Sequence, residues 1–187
     1  MSFSKRVGIK IPKHIAVLYN QKKNHLMLIG PLGSKIILLK FKLFFVPNIH
    51  SIFITTFLGN ISKKQIKSIY GSLQAQLKQA ILELSVRYHK SLKLIGVGFK
   101  AYLLRIGTAY VLQFKLGFSH FIFYKIPRDV SITTLKETKL FLTNPCLAKV
   151  SQISAIIRSF KFPEIYKGKG ILYNDEKVAL KKGKKIS

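Results

Sequence analysis

Twice along this chain a run of apolar residues at every second position gives way to an apolar stripe at every third and fourth. That switch of period restricts the fold more than any composition figure does. Val7 to Ile11, Ile15 to Tyr19, His25 to Ile29, Ile36 to Val46 and Ile52 to Phe57 read as strands, with a polar turn at 21–24 and a strong break at Gly30-Pro31-Leu32-Gly33. At Ser62, with Gln65 three residues on as a capping box, the period changes. Ile66, Ile69, Tyr70, Leu73, Leu77, Ala80, Ile81, Leu84 and Tyr88 then predict one long helix near 63–88. From Lys90 the strand period returns through Leu92 to Phe99, Tyr102 to Leu104, Tyr110 to Leu116, Phe121 to Ile126, Ser131 to Thr134 and Lys139 to Thr143. Asn144-Pro145 suits the cap and first position of a second helix, with Val150, Ile153, Ile157 and Phe160 as its apolar face. After Pro163 no regular structure is expected. Strands followed by a helix, twice, predict an α+β chain of two domains, 1–89 and 90–187, the second with a basic tail over 161–187. A weak internal repeat agrees: Ile11-Pro12-Lys13-His14-Ile15-Ala16-Val17 matches Ile126-Pro127-Arg128-Asp129-Val130-Ser131-Ile132 class by class.

The charge narrows the partner. Lys and Arg number 33 against 6 Asp and Glu, a net charge of +27, and the acids (Glu83, Asp129, Glu137, Glu164, Asp175, Glu176) are absent before residue 83. Such a surface is drawn to phosphate backbones, with membrane surfaces and acidic proteins as alternatives. Leu43 to Ser62 carries no formal charge and approaches the length of a spanning helix, and mean hydropathy is +0.22. Pro47, Asn48, His50, Gly59 and Asn60 interrupt it, and Ile52 to Phe57 reads better as a strand, so membrane insertion is not expected. Met1 to Val17 lacks the apolar core of a secretory signal and is not an Arg- and Ser-rich presequence. Only five of the cations are arginines (Arg6, Arg87, Arg105, Arg128, Arg158), and Lys, Ile, Leu, Phe and Asn abound. That bias suggests an AT-rich genome such as an organelle's.

Catalytic patterns fare poorly. Gly96-Val97-Gly98-Phe99-Lys100-Ala101 fits a dinucleotide fingerprint, but strand and turn residues follow where a phosphate-holding helix must open. Glycines easing a twisted strand are the better reading. The five histidines lie apart from one another and from carboxylates, so no metal site is expected. Cys146 stands alone, which rules out an internal disulfide; as a nucleophile it lacks a specified base, and a buried structural thiol is expected. Asp175-Glu176 is the only close acid pair and is expected to pair with Lys177 or nearby lysines. Neither an enzyme nor a bound cofactor is implied.

The basic residues after α-helical spacing ends have more content. From Arg158 onward nine cations meet three acids: Arg158, Lys161, Lys167, Lys169, Lys177, Lys181, Lys182, Lys184 and Lys185, interleaved with Phe160, Phe162, Tyr166 and Tyr173. Tyr166 offers a stacking face, Lys167 and Lys169 point charges, and Gly168 and Gly170 the absence of bulk that lets another polymer approach the backbone. RNA is favoured over DNA, because no helix-turn-helix, zinc finger or basic zipper is visible.

Leu94-Ile95-Gly96-Val97-Gly98-Phe99-Lys100-Ala101, Leu116-Gly117-Phe118-Ser119-His120, Val150 to Arg158 and Pro163-Glu164-Ile165-Tyr166-Lys167-Gly168-Lys169-Gly170-Ile171 resemble, in order and spacing, the bacterial-type sixth protein family of the large ribosomal subunit. The match is strong over 90–187 and weaker over 1–89. The resemblance implies two similar domains, each a small antiparallel sheet with a helix. It implies binding to large-subunit rRNA near the sarcin–ricin loop and factor-binding region, mainly through the C-terminal domain, among neighbouring ribosomal proteins and translation factors and with no small-molecule substrate. Carried over, the contacts are Arg158, Lys161, Tyr166, Lys167, Gly168, Lys169 and Gly170, with Ser119 and His120 in a second motif. Lys177, Lys181, Lys182, Lys184 and Lys185 extend them through the basic tail. The chain departs from the family at Phe121 (commonly Pro), Cys146-Leu147 (Asp-Lys), Ser151 (Gly), Lys161 (Arg) and Ile165 (Pro). The composition directs the expectation to a mitochondrial ribosome, with a plastid as runner-up; a free basic RNA-binding factor is the alternative from another class.

Overall fold

The computed structural model describes residues 8–22, 24–39, 42–46, 51–55 and 63–182. They form two compact units, dividing between Arg87 and Tyr88. In the first, β1 (Ile9–Lys10), β2 (Ala16–Asn20), β3 (His25–Gly30), β4 (Gly33–Leu38), β5 (Lys42–Val46) and β6 (Ser51–Thr55) precede α1 (Lys63–Ser85). The strands make two antiparallel sheets, β2-β3-β4 and β1-β6-β5. Strand alternation puts Leu26, Leu28 and Ile37 in one buried cluster with Leu73, Leu77, Ala80, Ile81 and Leu84 of α1. The stretch expected as one strand, Ile36 to Val46, is divided between β4 and β5 in different sheets. Ser62, the expected cap, lies outside the described residues.

Helix α1 ends at Ser85, so Tyr88 is not on its stripe but opens the next strand. The helix end is built against the β3–β4 turn. Leu32 N–H donates to the Leu84 carbonyl at 3.3 Å, and a Cβ on Gly30 would meet Leu84 Cβ at 2.8 Å. The break at 30–33 is therefore a tight hairpin that clasps the helix.

The second unit runs β7 (Tyr88–Ile95), β8 (Lys100–Ile106), β9 (Ala109–Lys115), β10 (Ile122–Lys125), β11 (Ser131–Lys136), β12 (Lys139–Asn144), α2 (Leu147–Ser159) and β13 (Gly170–Tyr173). Its antiparallel sheets are β10-β9-β8 and β11-β12-β7-β13. Val150, Ile153 and Ile157 of α2 share a buried cluster with Leu92, Leu94, Leu140, Leu142 and Ile171. Each unit is thus α+β, antiparallel sheet with one helix.

Two expectations are corrected here. Asn144 is the buried last residue of β12, not a helix cap. Its side-chain amide donates to the Asp129 carbonyl and its oxygen accepts the Cys146 N–H at 2.6 Å. Regular structure also returns after Pro163, because β13 pairs with β7 from Gly170↔Ile95 to Tyr173↔Leu92. Gly170, Ile171 and Leu172 are all buried, so β13 shows no alternation to betray it.

The internal repeat is real in three dimensions. Ile15 N–H donates to Pro12 O at 3.1 Å, and Val130 N–H donates to Pro127 O at 3.2 Å, so both copies make the same turn into a hairpin, β2-β3 or β11-β12. Strand orders correspond as well: β2-β3-β4 with β11-β12-β7, and β1-β6-β5 with β10-β9-β8. The three remaining strands follow the hairpin in the first unit (β4 to β6) and precede it in the second (β7 to β9). The two units share a strand arrangement through which the chain is routed from different starting points. That routing accounts for the residues between hairpin and helix in the first unit.

Candidate nucleic-acid interface

The segment after α2 is folded upon itself by backbone bonds. Ile171 N–H donates to Lys161 O, Glu164 N–H to Lys169 O and Gly168 N–H to Glu164 O, each at 2.9 Å. These close a compact loop over 163–169 that leaves Tyr166 and Lys167 exposed, with Lys169 half-buried. The glycines serve this loop internally. Gly170 is buried, and a Cβ there would meet Pro163 Cα at 2.6 Å and Phe162 O at 2.7 Å; Gly168 takes φ +68° in the left-handed region. The expectation that Gly170 clears room for another polymer is corrected: its missing side chain makes room for the chain's own Phe162–Pro163.

Arg158, on the last turn of α2, is not free. Its Nη2 donates to Glu176 Oε1 at 2.5 Å and its Nε to Glu176 Oε2 at 3.1 Å, while its guanidinium stands 5.5 Å from the ring centres of both Phe162 and Tyr173. This bond lowers the Glu176 carboxyl below its ordinary range and raises Arg158 further. Glu176 therefore pairs eighteen residues back along the chain, not with Lys177 as expected. Asp175 accepts from the Asn174 amide at 3.1 Å.

The second motif is brought to the first. Lys161 Nζ lies 4.1 Å from the ring centre of Phe118, whose other partner is the near-parallel ring of His120 at 5.8 Å. Ser119 and His120 are exposed beside it. The tail also returns, Lys181 N–H donating to Ile165 O at 3.1 Å. Lys177, Lys181 and Lys182 are exposed; Lys184 and Lys185 lie outside the described residues.

The remaining candidates resolve simply. Gly96 and Gly98 occupy the turn between β7 and β8, with the Phe99 ring filling the space beside Gly96, and no helix follows. Cys146 is half-buried at the N-cap of α2, not fully buried as expected. Among the described residues no cluster of three His, Cys, Asp or Glu is placed to hold a metal, and no helix is long and apolar enough to cross a membrane.

No family model matches the chain. Individual relatives do. A large ribosomal subunit protein uL6 of Mycoplasmoides gallisepticum is 35% identical over 182 residues, covering 96% of each chain. The chain belongs to the uL6 family. Another uL6, from Neisseria meningitidis serogroup B, is 39% identical over 130 residues (70% of this chain, 71% of the relative), and one from Rhodopseudomonas palustris is 36% identical over 125 (67% and 68%).

Two positions named above as departures acquire a physical meaning. Cys146 has the extended dihedrals of an N-cap (φ −84°, ψ 113°) yet makes no side-chain cap bond. Lys161 places its charge on the Phe118 face. Sequence reasoning missed the roles of two residues, Glu176 and Phe118. Glu176 was visible as half of the acid pair Asp175-Glu176 in a basic tail, and Phe118 as part of the Leu116–His120 segment, but the partner of each lies on a distant segment.

Proposed function

We propose that the protein is a structural, non-catalytic constituent of a large ribosomal subunit that binds large-subunit rRNA. The reading rests on the exposed, internally braced loop bearing Tyr166 and Lys167, taken with uL6 membership. In this reading the C-terminal domain docks the rRNA near the sarcin–ricin and factor-binding region. Tyr166 stacks, and Lys167, Lys169, Lys177, Lys181 and Lys182 neutralise phosphates. Lys161 with Phe118, Ser119 and His120 extends the face, and Lys184 and Lys185 lengthen its basic end. Neighbouring ribosomal proteins and passing translation factors complete the surroundings. With 33 basic residues, attraction to RNA is long-ranged and falls with salt. Replacing Lys167 and Lys169 by Ala should weaken rRNA binding and reduce its log–log salt slope by about 0.7–0.9 per lost phosphate contact. An unchanged slope would make those lysines bystanders.

The scarcity of arginine favours an organellar ribosome, mitochondrial before plastid, although the relatives above are bacterial. Sequencing the gene's source DNA decides this; a nuclear or bacterial locus refutes the organellar version. A free basic RNA-binding factor predicts a different sedimentation result: it washes off the large particle in high salt, whereas a subunit protein stays.

A further inference from the structure

Glu176 is out of keeping with its surroundings. Its side chain is 23% exposed in a tail whose lysines at 177, 181 and 182 are all exposed, and it faces an arginine that is 25% exposed. Three donors converge on it: Arg158 Nη2 on Oε1 at 2.5 Å, and Arg158 Nε and the Tyr173 N–H on Oε2, both at 3.1 Å. A two-pronged guanidinium bond of this kind demands geometry that a lysine cannot supply. It also spends the charge of Arg158, whose faces are flanked by Phe162 and Tyr173.

From this pair we infer that Glu176 is a positioning residue of the rRNA-binding face, and that Arg158 is its internal counter-ion rather than a phosphate contact. The inference rests on the rRNA-binding reading above. Glu176 ties the end of β13 and the start of the tail to the last turn of α2. Beyond that anchor the tail crosses the 163–169 loop as a strap: Lys181 N–H donates to Ile165 O at 3.1 Å, and a Leu180 methyl lies 3.4 Å from where a Cβ of Gly168 would stand. With the strap seated, Tyr166 and Lys167 are presented in one arrangement. Without the carboxylate the strap loses its anchor, Arg158 is left with an unpaired charge, and the loop must be ordered when RNA binds. The apparent affinity then falls by the fraction of molecules that hold the competent loop.

The full chain should be titrated with in-vitro-transcribed large-subunit rRNA over a range of salt, as wild type and as R158Q, R158K, E176Q and K167A. If competent loops fall to about a tenth, R158Q and E176Q each bind about tenfold more weakly with the wild-type salt slope, while K167A lowers the slope by about 0.7–0.9. R158K behaves as R158Q, because the fork and not the charge is needed. A slope for R158Q reduced as far as that of K167A puts Arg158 on a phosphate and overturns the inference, as does wild-type affinity for E176Q. Amide hydrogen exchange separates a local strap from general unfolding: E176Q should lose protection at Gly168 and Lys181 while β7 and α2 keep theirs. Loss throughout the second unit overturns the positioning role. Wild-type protein that binds rRNA no better than heparin would instead refute the functional reading, and the exchange result would still decide the strap.

Discussion

At Gly170 an added Cβ would meet backbone atoms of Phe162 and Pro163 at 2.6–2.7 Å, at a positive φ of +153°. Gly98, at φ +73°, lies near the αL region with open space around it. It reports backbone strain without crowding, whereas Gly170 combines crowding with a φ outside the αL region. Gly98→Ala should cost about 1–2 kcal/mol of unfolding free energy, the cost of a left-handed residue. Gly170→Ala adds overpacking of about 1–3 kcal/mol to that, because backbone cannot yield as a side chain does. Urea unfolding midpoints measure both, and equal losses would show that the loop relaxes freely. Gly168→Val, in contrast, tests nothing about RNA, since its φ of +68° strains any β-branched residue in the free protein. Acid titration is also decided at this scale. The Glu176 carboxyl is held below its ordinary value of 4.5 by Arg158, and Asp129 below its 3.8 by Lys149. A depressed folded-state value contributes stability above the unfolded value and loses it as pH falls through the folded one. Stability should therefore decline from near pH 4.5 downward, and thermal melts of E176Q should show a shallower decline over that window.

The N-terminus of α2 is under-capped. Cys146 has cap geometry without a cap bond, and the first turn carries no acid. Cys146→Asp should raise stability by about 0.5–2 kcal/mol, read as an upward shift in melting temperature, by bonding first-turn N–H groups and complementing the helix dipole. A neutral or negative effect would mean that Asp129, paired to Lys149 at 2.5 Å, repels the new charge more than the helix end attracts it. Strand β13 is the other element with a measurable consequence. It covers the second edge of β7, and Ile171 is fully buried. Ile171→Ala should cost about 2–5 kcal/mol as a core truncation. Removal of the chain from residue 170 onward should expose the β7 edge and promote aggregation, seen by light scattering.

Each unit of the molecule has a separate buried cluster, one joining α1 to its sheets and one joining α2 to its own. A fragment spanning Tyr88–Ser187 should accordingly give a cooperative thermal transition without the first unit. A fragment that melts without cooperativity would show that the second cluster depends on the first. The shared strand arrangement, entered at different points, also explains why only one hairpin of the repeat was visible in the residues. Similarity along the chain survives where routing agrees, at Ile11–Val17 and Ile126–Ile132, and is lost where the remaining strands change their place in the order.

Periodicity carried most of the strands and both helices, because alternation and a three-and-four stripe are consequences of which face meets a core. Charge balance and the Lys-Gly-Lys-Gly segment pointed to a polyanion for a similarly local reason: cations, an aromatic and small residues are readable without coordinates. Other features required contacts between distant residues. β13 carried no alternation because all but its last residue are buried, Asn144 looked like a helix cap until its amide was found holding Asp129 O, and Gly170 looked like an open approach until Pro163 was found against it. The Arg158–Glu176 pair belongs with these. A salt link depends on where two side chains arrive in space, and the turn at Pro163 and the return along β13 carry Glu176 back to the end of α2.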